Sequence, residues 1–385
     1  MIVKQAYQLV NDVTKEVLGE SVILKDDYSN VVDLGTAIYN ANAVDNYVKK
    51  LVDRIGRVIF VDRPYRSQAP DILMDNMEYG SVVEKIDCDI PEATVNNTWE
   101  LQDNTSYDDN IFRAPSISVK FFNSKTTFEV PISITYKQVE SAFTNGTELN
   151  KLISLIFTQI EKKIIIDTDA LKMGTINNMI AETIYDDYGS ALLSSKSGVK
   201  AINLLYLYNQ AHSGATLTTA NCMESTDFIR FAVEKMQLYK SRISKISTLF
   251  NIGKKARFTP TELLHFVLLE DFKSKADAYL QSTTFNDEYT ALPLHKTIPY
   301  WQGSGTGYEF ADVSKIKMIT SASHDVEYSG ILGVMFDREA LGINQYDRRV
   351  RTKNIESAEF INYWYKIENS YFNDLNENMI VFFVA

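Results

Sequence analysis

Cysteine, tryptophan, histidine and proline are all scarce in this chain, with 2, 3, 4 and 8 copies among 385 residues. Two cysteines, Cys88 and Cys222, cannot build a disulfide framework, and their spacing matches no zinc motif; both read as free thiols of a reducing cytoplasm. The histidines, His212, His265, His295 and His324, are scattered. With no HExxH and no Cys/His pair at ligand spacing, no metal site is expected. His265 sits among Leu264, Phe266 and Val267 on a predicted helix and reads as a structural histidine. GxSxG is absent, which removes the nucleophile elbow. The Walker pattern is absent too. Gly303, Gly305 and Gly307 are followed by no Lys-Ser/Thr and no helix start, so they predict a loop rather than a phosphate site. There is no apolar run of 18 residues, and the N-terminal MIVKQAYQLVNDVTKEVL is interrupted by charges, so neither a membrane span nor a signal peptide is expected. Asp167, Asp169, Asp186 and Asp187 are able to hold a divalent cation, but carboxylates on exposed helix faces ordinarily face water. No acid/base pair stands out. The expectation is a protein that is not an enzyme and carries no cofactor.

What is present fits a large folded protein. The length allows two to three domain-sized units and a sizeable core. Hydrophobic content of 45% and charged content of 23% are ordinary. The aromatic content is lopsided, with 22 Tyr and 20 Phe. Tyrosine buries a ring while keeping a polar tip, which suits interfaces, although a Tyr-rich core reads the same way. The net charge of −11 argues against a sequence-independent nucleic-acid binder, which needs a basic face. It leaves room for a protein that encloses nucleic acid without gripping it.

Along the chain, 1–57 reads as mostly helical, with Val10, Val13, Val17 and Leu18 at helical spacing. The segments 79–90 and 117–134 are β-rich. Phe128, Val130, Ile132 and Ile134 alternate as in a half-buried strand, and the polar 91–112 between them reads as the broad tip of a long hairpin. Thr135 with Gln138 starts a short helix, and Asn145-Gly146 breaks it. Thr147 opens a long helix on whose one face Leu149, Leu152, Ile153, Ile156, Ile160 and Ile164 repeat. A further helix is predicted from Thr226 to about Ile246, with Ile229, Val233, Met236 and Ile243 on one face. Thr259-Pro260-Thr261-Glu262 reads as another helix start. The runs 331–336 and 379–384 read as short buried strands.

Charge is segregated. Residues 62–112 hold 12 acidic and 3 basic residues, among them Glu92, Glu100, Asp103, Asp108 and Asp109 towards the tip. Residues 235–257 hold 7 basic residues and no acidic one: Lys235, Lys240, Arg242, Lys245, Lys254, Lys255 and Arg257. Arg348, Arg349, Arg351 and Lys353 form a second basic cluster. Opposite blocks of this kind are candidate assembly surfaces, complementary within one subunit or between two, or else independent solvated faces.

Three features resemble tailed-bacteriophage major capsid proteins. The first is the join at 131–171, PISITYKQVESAFTNGTELNKLISLIFTQIEKKIIIDTDAL, where a β-rich run passes through a short polar helix (Gln138-Val139-Glu140-Ser141) into a long helix. The second is the tail, ILGVMFDREALGI, then RRVRTKN, then FINYWYKIENSYFNDLNENMIVFFV. The third is the acidic hairpin placed before the long helix, where that family keeps its E-loop. The resemblance implies an α+β major capsid fold with an N-terminal arm (1–57), an E-loop region (58–134), a spine helix (135–188), an A-domain (189–323) and C-terminal P-domain strands (324–385). It implies a structural subunit that forms pentamers and hexamers of an icosahedral shell around double-stranded DNA, assembled in the host cytoplasm and resident in the virion. Only about 57 residues precede the first strand, so a separate scaffolding protein and a portal are the implied partners. Lys85, Lys120 and Lys125 lie where some relatives place a cross-linking lysine, although lysines on β-edges also simply discourage aggregation. The alternatives are another phage-derived shell or tail component, and a hydrolase or transferase with a carboxylate site.

Overall fold

The computed structural model describes residues 3–19, 37, 64–74, 82–91, 93, 95, 100, 102–105, 112–135, 146–212, 214, 217–281, 295–302, 307, 309–358 and 360–385. Its elements are α1 (Val3–Leu18), β1 (Val83–Cys88), β2 (Ile117–Phe122), β3 (Lys125–Thr135), α2 (Gly146–Tyr188), β4 (Ala201–Asn203), α3 (Leu204–Ala211), α4 (Thr226–Ile243), β5 (Leu264–Leu269), α5 (Glu270–Gln281), β6 (Lys296–Ile298), α6 (Phe310–Val313), β7 (Ile316–Ile319), β8 (Asp325–Tyr328), β9 (Ile331–Asp337), β10 (Leu341–Ile355), β11 (Phe360–Asn373) and β12 (Met379–Phe383). Residues 1–63 with 147–155 form one unit, and 64–146 with 156–385 form a second. In the first, α1 buries Val13 completely. The predicted short helix after Thr135 and the remainder of the predicted N-terminal helices lie outside the described residues.

The second unit is organised by a mixed five-stranded sheet in the order β4-β12-β9-β5-β6. Its strands read as continuous apolar runs because both faces are covered. Towards α2 point Met379, Val381 and Phe383 of β12, Val334 and Phe336 of β9, and Val267 and Leu269 of β5; they meet Ile176, Met179, Ile180, Ile184 and Tyr188. On the opposite face Ile380, Phe382, Leu332, Met335, Phe266 and Leu268 meet α3, α4 and α5 through Leu205, Phe228, Ile229, Val233, Met236 and Phe272. The predicted apolar face of α4 is therefore its buried face. Strands β4 to β6 come from 189–323 and β9 and β12 from 324–385, so the sheet runs across the boundary drawn at 323.

Two readings of the sequence need correction here. Thr259-Pro260-Thr261-Glu262 does not open a helix: it leads into one 3-10 turn, Thr261–Leu263, and then into β5. His265 consequently lies on a strand, stacked on Phe336 with ring centroids 5.4 Å apart. The run Leu264–Leu269 is short and apolar apart from His265, and such a run does not distinguish a buried strand from a buried helix by periodicity. Pairing with β9 on one side and β6 on the other decides for the strand.

α2 has 43 residues, about 65 Å at 1.5 Å per residue. Its first half covers a second sheet, β10-β11-β3, through Ile160 and Ile164 packed on Ile367, Val130, Ile132 and Tyr365. Leu149, Leu152 and Ile153 of the same predicted stripe have side chains outside the described residues; Ile156 is half-buried. Gly189, at φ 56°, ends the helix by donating its amide to Tyr185 O at 2.7 Å, a conformation that glycine adopts without a side-chain penalty. Gly330, at φ 79°, turns β8 into β9 where a Cβ would lie 2.0 Å from Val384 O.

Candidate assembly surface

The carboxylates singled out on α2 are held by neighbouring side chains. Lys163 pairs with Asp167 at 2.7 Å, and Asp169 accepts from Ser67 at 2.5 Å. Asp186 and Asp187 share Lys200 at 2.6 and 2.9 Å, and Asp187 also accepts the Lys200 and Ala201 amides, which fixes the start of β4. The histidines rest on rings: His212 on Tyr208 and His324 on Tyr185, at 4.3 and 4.8 Å. Burial, with the nearby Arg338, holds His265 below the usual imidazole range. Burial pushes the Cys222 thiol up to about 11, while Cys88 is exposed. Among the described residues no group of three or more His, Cys, Asp or Glu side chains is arranged to hold a metal ion. No described helix is long and apolar enough to cross a membrane.

The unusual surface is the hairpin. β1 and β2 pair antiparallel, with Lys85 opposite Lys120, Ile86 opposite Val119, Asp87 opposite Ser118 and Cys88 opposite Ile117. Opposed residues share a face, and successive residues alternate between faces. One face therefore carries Lys85, Lys120 and Asp87, continued by Asp89. The other carries Ile86, Val119, Ile117 and Phe121, continued by Val82 and Ile90.

The charged face lies on the subunit's own body. Lys85 reaches Asp374 at 3.0 Å and Glu377 at 2.7 Å, and Lys120 reaches Asp374 at 2.7 Å. Two lysines directly opposed on a sheet repel each other, and Asp374, whose side chain is 2% exposed, sits between them. One strand step onward the signs reverse. Arg257 pairs with Asp87 and lies 3.4 Å from Glu377, and Lys255 holds both carboxylate oxygens of Asp89 at 2.7 and 2.9 Å. Burial raises the pKa of Asp374, but hydrogen bonds from Lys120 and Lys85 outweigh it and hold the carboxyl below its usual range. Burial likewise works against the Lys85 ammonium, and its bonds to Glu377 and Asp374 prevail and raise it. Phe122 adds a ring contact to Phe372 at 5.0 Å.

The other predicted site residues are spread out. Lys235 lies over the Phe231 ring at 4.8 Å and Arg242 over Tyr239 at 5.0 Å. Lys245 and Lys254 are exposed and Lys240 is half-exposed. Arg349 pairs with Glu368 on β11, while Arg348 and Arg351 are exposed beside it. Glu100 and Asp103 of the tip are exposed; Glu92, Asp108 and Asp109 lie outside the described residues. Sequence reasoning missed Asp374 and Glu377, which lie more than 250 positions from the lysines they bind, and no local pattern marks them.

The Phi29-like phage major capsid protein family matches residues 10–383. No curated protein matches. Among solved structures the chain is similar to one described as head fiber and inner core protein gp22 of native bacteriophage P68, at 8% identity over 86% of this chain and 87% of that one, with a TM-score of 0.55. It is also similar to a capsid structure of Staphylococcus phage Andhra, at 9% identity over 86% and 87%, with a TM-score of 0.54. At these identities the likeness is one of fold, α+β as the sequence predicts. Matched over nearly its whole length, the chain belongs to the Phi29-like phage major capsid protein family.

Proposed function

We propose that this structural capsid subunit self-assembles into the pentamers and hexamers of an icosahedral shell, and that the β1–β2 hairpin makes one of its inter-subunit contacts. Membership of the family makes the chain a capsid component and places it in the virion; the oligomers, the DNA and the assembly route are the proposed part. Scaffolding and portal proteins act as separate partners, and assembly takes place in the host cytoplasm. DNA is enclosed without sequence-specific binding and without a catalytic step. In this reading 1–57 serves as the N-terminal arm, 58–134 as the E-loop region, 135–188 as the spine, 189–323 as the A-domain and 324–385 as P-domain strands.

The observation that carries the proposal is the contrast between a body sealed on both faces of its sheet and a hairpin that leaves Ile86, Ile90, Ile117 and Phe121 each more than half exposed. An exposed apolar patch of that kind marks an interaction surface. The acidic tip (Glu92, Glu100, Asp103, Asp108, Asp109) and basic residues on the body (Lys240, Lys245, Lys254, Arg348, Arg351) supply opposite charges for setting register between copies. Electron microscopy of the purified protein, alone and with its scaffolding partner, tests the proposal. Capsomers or shells are expected; a monodisperse monomer under every assembly condition would refute it.

A further inference from the structure

We infer that the charged face of the β1–β2 hairpin is a latch onto its own subunit, and that this latch holds the opposite, apolar face in position to receive a second copy of this chain. The inference rests on the assembly reading above and adds to it how the contact is controlled.

Charge arrangement is the first support. Two cations on the hairpin (Lys85, Lys120) meet two anions on the body (Asp374, Glu377); two anions further along it (Asp87, Asp89) meet two cations (Arg257, Lys255). The set is neutral overall, and its sign reverses along the strand. A hairpin slid along the body by one such step would set Lys85 and Lys120 against Arg257 and Lys255. Like-charge contact then penalises the wrong position, as it does across specific interfaces. Asp374 is itself fixed, since its backbone amide donates to Ala340 O at 2.7 Å and its Oδ1 accepts from the Asn376 amide at 3.0 Å. The receiving end therefore belongs to the rigid turn between β11 and β12.

The second support is that the ion pairs to the body all lie on one face. On the other, Val82, Ile86, Ile90, Ile117, Val119 and Phe121 are 42 to 66% exposed. Glu84 is the one charged residue on that face between 82 and 90. Together these side chains expose several hundred square ångströms, the size at which apolar patches on soluble proteins mark interfaces. The occupant we commit to is a second copy. The chain belongs to a capsid family, and one face per subunit repeated around a shell turns a modest contact into a large total. A hairpin free to swing would lose orientational freedom on docking; one already held in place has little left to lose.

Two kinds of variant in the full-length protein separate the halves of this inference. Asp374→Asn and, independently, Asp89→Lys should speed amide hydrogen exchange in β1 and β2 at least about tenfold while leaving β9 and β12 unchanged, because local opening is read separately from global unfolding. Both should reduce assembly, and Asp89→Lys with Lys255→Asp should restore exchange and assembly together. Phe121→Ser should leave exchange in the free subunit unchanged and still reduce assembly. Unchanged exchange in both latch variants would overturn the latch. Normal assembly of Phe121→Ser and of Ile86→Ser would overturn the apolar contact. Failure of the parent protein to assemble at all would count against the assembly reading itself, a result that the exchange data keep distinct.

Discussion

The central sheet and the hairpin are both built from short strands, and they solve the burial problem in opposite ways. β9 and β12 hide both faces, one under α2 and the other under α3 to α5, and every residue of both strands is buried. The β1–β2 hairpin is two strands wide, and a lone two-stranded ribbon is marginal in water. Among the described residues its cover within the subunit is a set of ion pairs and one ring contact, Phe122 on Phe372. One chain thus carries a sheet that folding covers on both faces and a hairpin whose apolar face folding leaves exposed, and the position of charge tells them apart.

The strongest way to break the comparison is to truncate the same residue type in both places. Phe382→Ala removes a fully buried ring from the sheet and should cost about 3–5 kcal/mol in denaturant unfolding of the subunit. Phe121→Ala, 66% exposed on the hairpin, should cost under about 0.5 kcal/mol in the same assay. Similar costs would erase the distinction. Next in size, Ile160→Ala, at the contact of α2 with β3 and β11, should cost about 2–4 kcal/mol.

Acid should sharpen it. Asp374 faces Lys85 and Lys120 from the hairpin and lies near Arg257 and Glu377 of the body. Its folded pKa lies below the unfolded value of about 3.9. Its contribution is thus complete above that value and lost as pH falls through the folded value. Lys85 has the opposite sign: its raised pKa keeps its contribution complete below the unfolded value of about 10.4 and loses it as pH rises through the folded one. Hairpin exchange should therefore be flat between about pH 5 and 9 relative to the body, and rise first in the hairpin below about pH 4. Simultaneous loosening of the body strands would remove the separation.

Salt should act more weakly. At 1 M the screening length falls to about 3 Å, which weakens the exposed outer pairs such as Lys255–Asp89 more than those at Asp374. Proteolysis of the hairpin should accelerate modestly with salt. The smallest effect on the free subunit belongs to Arg348, Arg349 and Arg351→Glu, expected within about 0.5 kcal/mol of the parent because these side chains are exposed. Shell formation or DNA filling should nevertheless suffer, and normal values of both would leave this cluster without a role.

Much of this was legible from pattern alone. The runs 331–336 and 379–384, the apolar face of α4 and the long stripe leading to Ile160 and Ile164 all announce their elements, since continuous and 3.6-spaced apolar residues have few other ways to be buried. The run Leu264–Leu269 escaped because a short, mostly apolar run after a cap-like Thr-Pro-Thr-Glu fits either element until the neighbouring strands are known. Charge segregation was visible as well, with pairing inside one subunit or between subunits left open; Lys255 and Arg257 turn to their own hairpin. That assignment depends on Asp374 and Glu377 in the last turn of the chain, which only the folded topology brings beside Lys85.

On the assembly proposed above, a second copy completes the hairpin. High-resolution electron cryomicroscopy of assembled particles tests it most directly: Ile86, Val119 and Phe121 should be covered by a neighbouring subunit while Lys85 and Lys120 remain on Asp374 of their own. A closed shell in which that apolar face still meets solvent, or in which the two lysines have left Asp374 for a neighbour, would contradict it.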